Sequence, residues 1–442
     1  MKKVISGATI VTMDPDRNII KDAAIVINDE IIEWLGASKN LPKKYQSIEP
    51  LYLPNHGIFP GFVNIHTHAA LSILRGIGDD QGIAPAYSPN VPQGVFMSPE
   101  DCYIFSLLGA LEALRFGTTC MVDNYIYANE TARAYSALSM RGVVSERLHD
   151  ADLFLIPEGR YEFDFDRGEV LLSKGIELFE RWQGKDNGRI QVFIGPHAPD
   201  TCSTSYLETV RDAAGELDAK MVLHVAQSMR EVRVIKERSE MTVPFYLKSL
   251  DLLGENMIAG HCIFITPDDI QVLAKTNTQV SHQSGSNSKG GMMAPIKAMV
   301  ESGVNIGLGT DNMAGDMIEV MRLALCVARM QTGDPVALDA MDVLEMATIN
   351  GARALNLDHQ IGSIEIGKKA DLVAINYLQP HLQPAKDPVA NLVHNGLGGD
   401  VSHVFIDGKL CIENGKHTSF DTDELLAEVK KRSDHLWRKM QK

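Results

Sequence analysis

The chain predicts an α/β protein, a (β/α)₈ barrel with a small β-sandwich built from both termini. Three observations carry that prediction. Short apolar runs alternate with helical patterns through the middle of the chain, eight of these runs lead to a histidine or aspartate, and both ends read as short strands and turns. Strands that alternate with helices imply a parallel sheet. Eight such units close into a barrel whose active site lies at the C-terminal ends of the strands.

The first run follows the Pro60-Gly61 turn and ends in Asn-Ile-His66-Thr-His68. Residues two apart on a strand share a side, so both imidazoles can reach one metal ion. The second run, Met121-Val122, leads to Asp123, and Val143-Val144 precedes His149. Ile190 to Ile194 leads to His197, Met221-Val-Leu223 to His224, and Met257 to Gly260 to His261. Gln279-Val-Ser281 leads to His282, and Ile306 to Thr310 leads to Asp311. Helical patterns lie between them. In the stretch from Ser98 to Gly117, Ser98 suits the N-cap, Pro99 the first turn and Gly117 the stop.

The expected domains are a first sandwich part over 1–58, the barrel over 59–358, a second sandwich part over 359–420, and a charged amphipathic helix over 421–442. Asn28-Asp29 suits a hairpin turn in the first part. A length of 442 residues accommodates a barrel plus an accessory unit. A net charge of −15 disfavours nucleic acid or an anionic membrane as partner. No apolar run has the length of a membrane span or the form of a signal peptide. Six scattered cysteines, without a Cys-x-x-Cys pair, fit reduced thiols and a cytoplasmic location.

Several segments in order resemble the amidohydrolase superfamily, in its branch of atrazine and triazine chlorohydrolases and adenosylhomocysteine- and guanine-type deaminases. They are Pro60-Gly61-Phe-Val-Asn-Ile-His66-Thr-His68, Gly117-Thr-Thr-Cys-Met-Val-Asp123, Gly195-Pro-His197, Leu223-His224-Val-Ala, Gly260-His261-Cys262, Gly307-Leu-Gly-Thr-Asp311 and Gly362-Ser-Ile-Glu-Ile-Gly-Lys-Lys-Ala-Asp371. The resemblance implies His66, His68, His224 and Asp311 as metal ligands. It makes His261 a hydrogen-bond partner of the attacking water or the substrate, Asp311 the acceptor of the water's proton, and His197 a substrate contact. The fourth strand has no lysine of the kind binuclear branches carboxylate, so one divalent ion is expected. Zinc is the first choice, with iron, manganese or nickel also suited to a His₃Asp set.

Three departures from the family pattern matter. His224-Val-Ala is followed by Gln227 where the deaminases have glutamate. A carboxamide hydrogen-bonds but cannot act as a general acid. Ser281-His282-Gln-Ser-Gly-Ser-Asn287 replaces the usual Asn-Pro-x-Ser-Asn. His282 thus becomes a titratable group that either replaces the missing acid or only binds and packs. Finally, the loop Gly78–Gly94 lacks the family's tryptophan-leucine pattern, and loops after barrel strands set specificity.

The expected function is hydrolysis of a C–N bond in a small nitrogen-containing, heterocyclic substrate by hydroxide generated at the metal, either deamination or amide or urea cleavage. The alternatives are hydrolytic displacement of halide from an aromatic ring, for which Gln227 is tolerable, and a non-catalytic binding protein on the same scaffold. Retention of the four metal ligands argues against the last. The expected partner is a small molecule, and the expected assembly a homodimer.

Overall fold

A computed structural model describes residues 2–76 and 96–440. The Gly78–Gly94 loop lies outside the described residues. Eight parallel steps run around the barrel: Phe62–Thr67, Thr118–Tyr125, Arg141–Leu148, the pair Ile190–Val192 and Gly195–Pro196, Met221–Val225, Met257–His261, Gln279–His282 and Ile306–Leu308. Hydrogen bonds link strands one to four and strands five to eight into two sheets. Isolated parallel bridges, Ile194 to Met221 and Thr67 to Asp311, join the two sheets into a ring.

Alternation along each strand divides the side chains between lumen and outer layer. Leu223, Val225, Val280, Ile306 and Leu308 belong to the large apolar cluster shared with the surrounding helices. Gly307 and Gly309 face inward instead. A Cβ at Gly309 would lie 2.7 Å from the Cβ of His66, so glycine is what lets the first and last strands approach. Helix Pro99–Arg115 starts as the sequence predicts. Ser98 and Asp101 form a reciprocal capping box, and Gly117 follows with φ +93°.

Both termini enter one strand-rich unit. Nine short strands, from Lys2–Val11 to Lys416–His417, join in a continuous sheet in which His56–Pro60 pairs with Leu372–Asn376. The sheet therefore runs to Pro60, and the first barrel strand begins at Phe62. Its Ile19–Asn28 and Ile31–Ala37 hairpin turns at Asp29-Glu30, one residue later than Asn28-Asp29. Asp29 takes φ +54°, which a short polar side chain tolerates. Arg141, at the base of the third barrel strand, pins this unit to the barrel through Asp371 and Asp407. The final helix, Thr422–Met440, lies against Pro99–Arg115, with Arg432 paired to Asp101. Among the described residues no helix is long and apolar enough to cross a membrane.

Candidate metal centre and active site

The mouth of the barrel gathers four imidazoles and one carboxylate. The rings of His66, His68, His224 and His261 lie with several centroids 4.8 to 5.4 Å apart. One ligand atom from each of His66, His68 and His224 falls within 4.8 Å of the others, and the same holds for His66, His261 and Asp311. Asp311 Oδ1 is 3.8 Å from His66 Nε2 and 3.5 Å from His68 Nε2. Backbone bonds fix this seam, since His68 N–H donates to the Asp311 carbonyl and Asp311 N–H to that of His66.

Two of the rings and the carboxylate are oriented from behind. His224 Nδ1–H donates to the His197 carbonyl at 2.6 Å, which leaves Nε2 as a lone pair. His261 Nδ1–H donates to Asn287 Oδ1 at 3.0 Å. Both are the outer hydrogen bonds that fix a ligating histidine's tautomer. Ser286 Oγ–H donates to Asp311 Oδ2 at 2.6 Å, leaving Oδ1 toward the imidazoles. His66 Nε2 is buried with no hydrogen-bond partner. His68 Nε2 and His224 Nε2 face each other at 3.3 Å. As the His224 nitrogen is a lone pair, this arrangement suits two donors converging on a cation. Orphaned nitrogens and one carboxylate are the donor set of a divalent metal site.

Burial holds the His66 and His224 imidazoles well below the usual histidine range, and neighbouring imidazoles add to the shift. Burial takes His68 to about 4 against the pull of Asp311. All three are therefore neutral at pH 7, the form that binds metal.

The other sequence candidates fall in three places. His197 lies beside His224, but Arg147 Nη2 donates to its Nε2 at 2.6 Å and its Nδ1–H donates to Thr201 Oγ at 2.8 Å. Its ring is thus held by protein, and its carbonyl orients His224. Gln227 follows the fifth strand, beyond Ala226 at φ +49°. His282 is paired in register with Leu308, on the outer face of the sheet, while its neighbour Ser281 pairs with the inward Gly307. Both His282 ring nitrogens are buried without a partner, and burial takes the imidazole to about 4. His149 lines a separate wall. Asp123 sits behind His68, accepting from Ala69 N–H and Tyr135 O–H, and burial raises it to about 7.

A cavity of about 350 Å³ opens beside Arg147, lined by Tyr127, Glu146, His149, Asp152, Arg167 and Lys174 among others. Arg147 also lies 5.5 Å over the ring of Tyr125, which neighbours His68. A search for histidine and aspartate at strand ends passes over Arg147. Ser286 and Asn287 stand in the segment that departs from the family pattern, but their partners emerge only when strands six, seven and eight are side by side.

The ring of strands and the convergent imidazoles and carboxylate define a metal-dependent hydrolase of the barrel type. The chain belongs to the amidohydrolase family, whose sequence profile matches residues 58–411. It is 34% identical over 439 residues to a 5'-deoxyadenosine deaminase of Methanosarcina acetivorans, with 98% of each chain covered. It is 34% identical over 437 residues to a 5-methylthioadenosine/S-adenosylhomocysteine deaminase of Moorella thermoacetica, covering 98% of this chain and 99% of the relative. The crystal structure of an adenosine deaminase from Xanthomonas campestris with bound zinc superposes with a TM-score of 0.88 at 28% identity, covering 98% of both chains. The protein is an enzyme that hydrolyses C–N bonds.

Proposed function

We propose that the enzyme deaminates an adenosine-type nucleoside bearing a 5' substituent, using one zinc ion held by His66, His68, His224 and Asp311. The observation that carries this reading is the convergence of three neutral imidazoles and one carboxylate, with His224 and Asp311 held from behind by the protein. A zinc ion bound there would lower the pKa of water to ~7 and so supply a nucleophile near neutral pH. The deaminases that match this chain from end to end support the substrate class. The cavity beside Arg147, with Arg167 and Lys174 opposite Asp152 and Glu146, suits a charged or polar group at the far end of the substrate.

The chain's own residues then divide the work. Asp311 takes the proton of the attacking water, its carboxylate held by Ser286 at Oδ2 and by Asn312 at Oδ1. His261, anchored by Asn287, presents Nε2 to hydrogen-bond the attacking water or the substrate. Gln227 donates an amide N–H to the heterocycle but carries no proton to it. The proton that leaves with ammonia is therefore the one Asp311 received. Assembly as a homodimer in the cytoplasm completes the reading.

Gln227 also favours a second reading, displacement of a leaving group that departs without a proton. A zinc-loaded sample assayed for ammonia with 5'-deoxyadenosine, S-adenosylhomocysteine and adenosine, and for halide with chlorinated heterocycles, separates the two. Ammonia from a nucleoside is expected. Halide release with no ammonia from any nucleoside refutes the deaminase reading. Gln227→Glu should accelerate deamination, by up to the roughly 10²–10⁴-fold that a positioned acid contributes.

A further inference from the structure

Glu231 is fully buried, and its carboxylate is spent on the backbone that carries Gln227. Oε1 accepts the Ala226 N–H at 2.7 Å, and Oε2 accepts the Gln227 N–H at 2.8 Å. Helix Met229–Ser239 supplies the residue, its N-cap Ser228 accepting the Glu231 N–H at 3.1 Å. On the other side, the Ala226 carbonyl accepts from Phe264 N–H at 3.0 Å. The clamped residue is strained, because Ala226 sits in the left-handed region, which alanine disfavours. Such strain persists only when the surroundings over-determine it. Two hydrogen bonds to one buried carboxyl group do so here.

The chemistry of Gln227 makes this clamp matter. A carboxylate in its place would present two equivalent oxygens and tolerate rotation. A carboxamide has one acceptor and one donor end, and its use depends wholly on which end faces the substrate. We infer that Glu231 is a positioning residue for C–N hydrolysis: its carboxylate fixes the peptides at 226 and 227 and so aims the Gln227 amide at substrate bound over His224. This rests on the reading of Gln227 as a substrate contact.

The test is a double-mutant cycle of Glu231→Gln and Gln227→Ala in the metal-loaded enzyme, run on whichever compound of the substrate panel is turned over. E231Q replaces one acceptor by a donor facing a backbone N–H. It should lower kcat by about 10²-fold, the scale of an ångström-sized misplacement, with smaller change in KM and with metal content retained. The double variant should be no slower than Q227A alone, because the two residues act as one unit. Amide exchange in the peptide spanning residues 224–232 should rise in E231Q, a readout independent of the substrate. If E231Q does not fold, Glu231→Asp keeps the charge and enters the same cycle. Losses that multiply, or wild-type kcat or exchange in E231Q, overturn the inference. Full activity of Q227A overturns it together with the substrate-contact reading, whereas failure of the nucleosides alone leaves the cycle readable on another substrate.

Discussion

Replacing Arg141 by methionine should destabilise the fold severely, and the deficit should depend on pH. Arg141 is 2% exposed, and its partners Asp371 and Asp407 are 4% and 6% exposed. Its Nε donates to Asp371 Oδ2 at 3.1 Å, and its Nη2 donates to Asp407 Oδ1 at 2.6 Å and Asp371 Oδ1 at 3.3 Å. Methionine fills similar space but removes the cation that bridges the two carboxylates, leaving Asp371 buried without it while Asp407 keeps Arg189 at 3.5 Å and Lys369 at 3.7 Å. Breaking a buried pair in this way costs about 3–5 kcal/mol, or roughly 10²–10⁴-fold in the unfolding equilibrium at 1.4 kcal/mol per decade. Burial already raises the Asp371 carboxyl despite Arg141, and Asp407 adds to the rise. Removing the cation raises it further. A carboxyl whose folded pKa exceeds its unfolded value stabilises the fold at low pH and loses that contribution as pH rises through the folded pKa. Urea denaturation followed by tryptophan fluorescence should therefore show a large deficit at pH 8 that shrinks at pH 5.5. A midpoint equal to wild type at pH 8, or a deficit that widens on acidification, would refute the reasoning.

Other expectations follow from the site. Asp311→Asn removes the anionic member of the proposed ligand set and should lower metal affinity by more than the roughly 10–100-fold typical of an outer partner, as read by chelator competition and elemental analysis. His282→Leu should leave kcat near wild type, since the imidazole faces the outer layer; a fall of about 10²–10⁴-fold would mark it as an acid or base after all. Ending the chain at residue 421 removes Leu436 from its cluster with Leu71, Leu74 and Phe105 behind the His68 loop. That truncation should lower the melting temperature and the retained metal together, and thermal scans with and without chelator would show it.

Much of the site was legible because strands impose a period of two. That rule unites His66 with His68, and the Ser98 to Gly117 signals located a helix to within two residues. The same rule, applied to Val280 and His282, puts that histidine on the face of the outer apolar layer, which favours the packing alternative. Other features cannot be read along the chain. Arg147 reaches His197 on the neighbouring strand, and Asn287 reaches His261 from the segment after the next one. Their roles exist only after the ring closes. The Ser228-to-Glu231 spacing does read as a capping box, but nothing in it reveals that the carboxylate extends past the cap to Ala226 and Gln227. The terminal hairpin slipped by one residue because Asn28 and Asp29 are both good turn formers, and pairing across the sheet decided between them.

The seam between the first and last barrel strands has a consequence for synthesis. His66 and His68 leave the ribosome some 240 residues before Asp311, and the backbone bonds that hold the three together cross that gap. A chain that lacks its eighth strand therefore owns His66, His68 and His224 of the proposed set but neither Asp311 nor the closed seam. Metal capture becomes a report of ring closure, the last act of barrel folding rather than its seed, and chains stalled before the eighth strand should emerge metal-free.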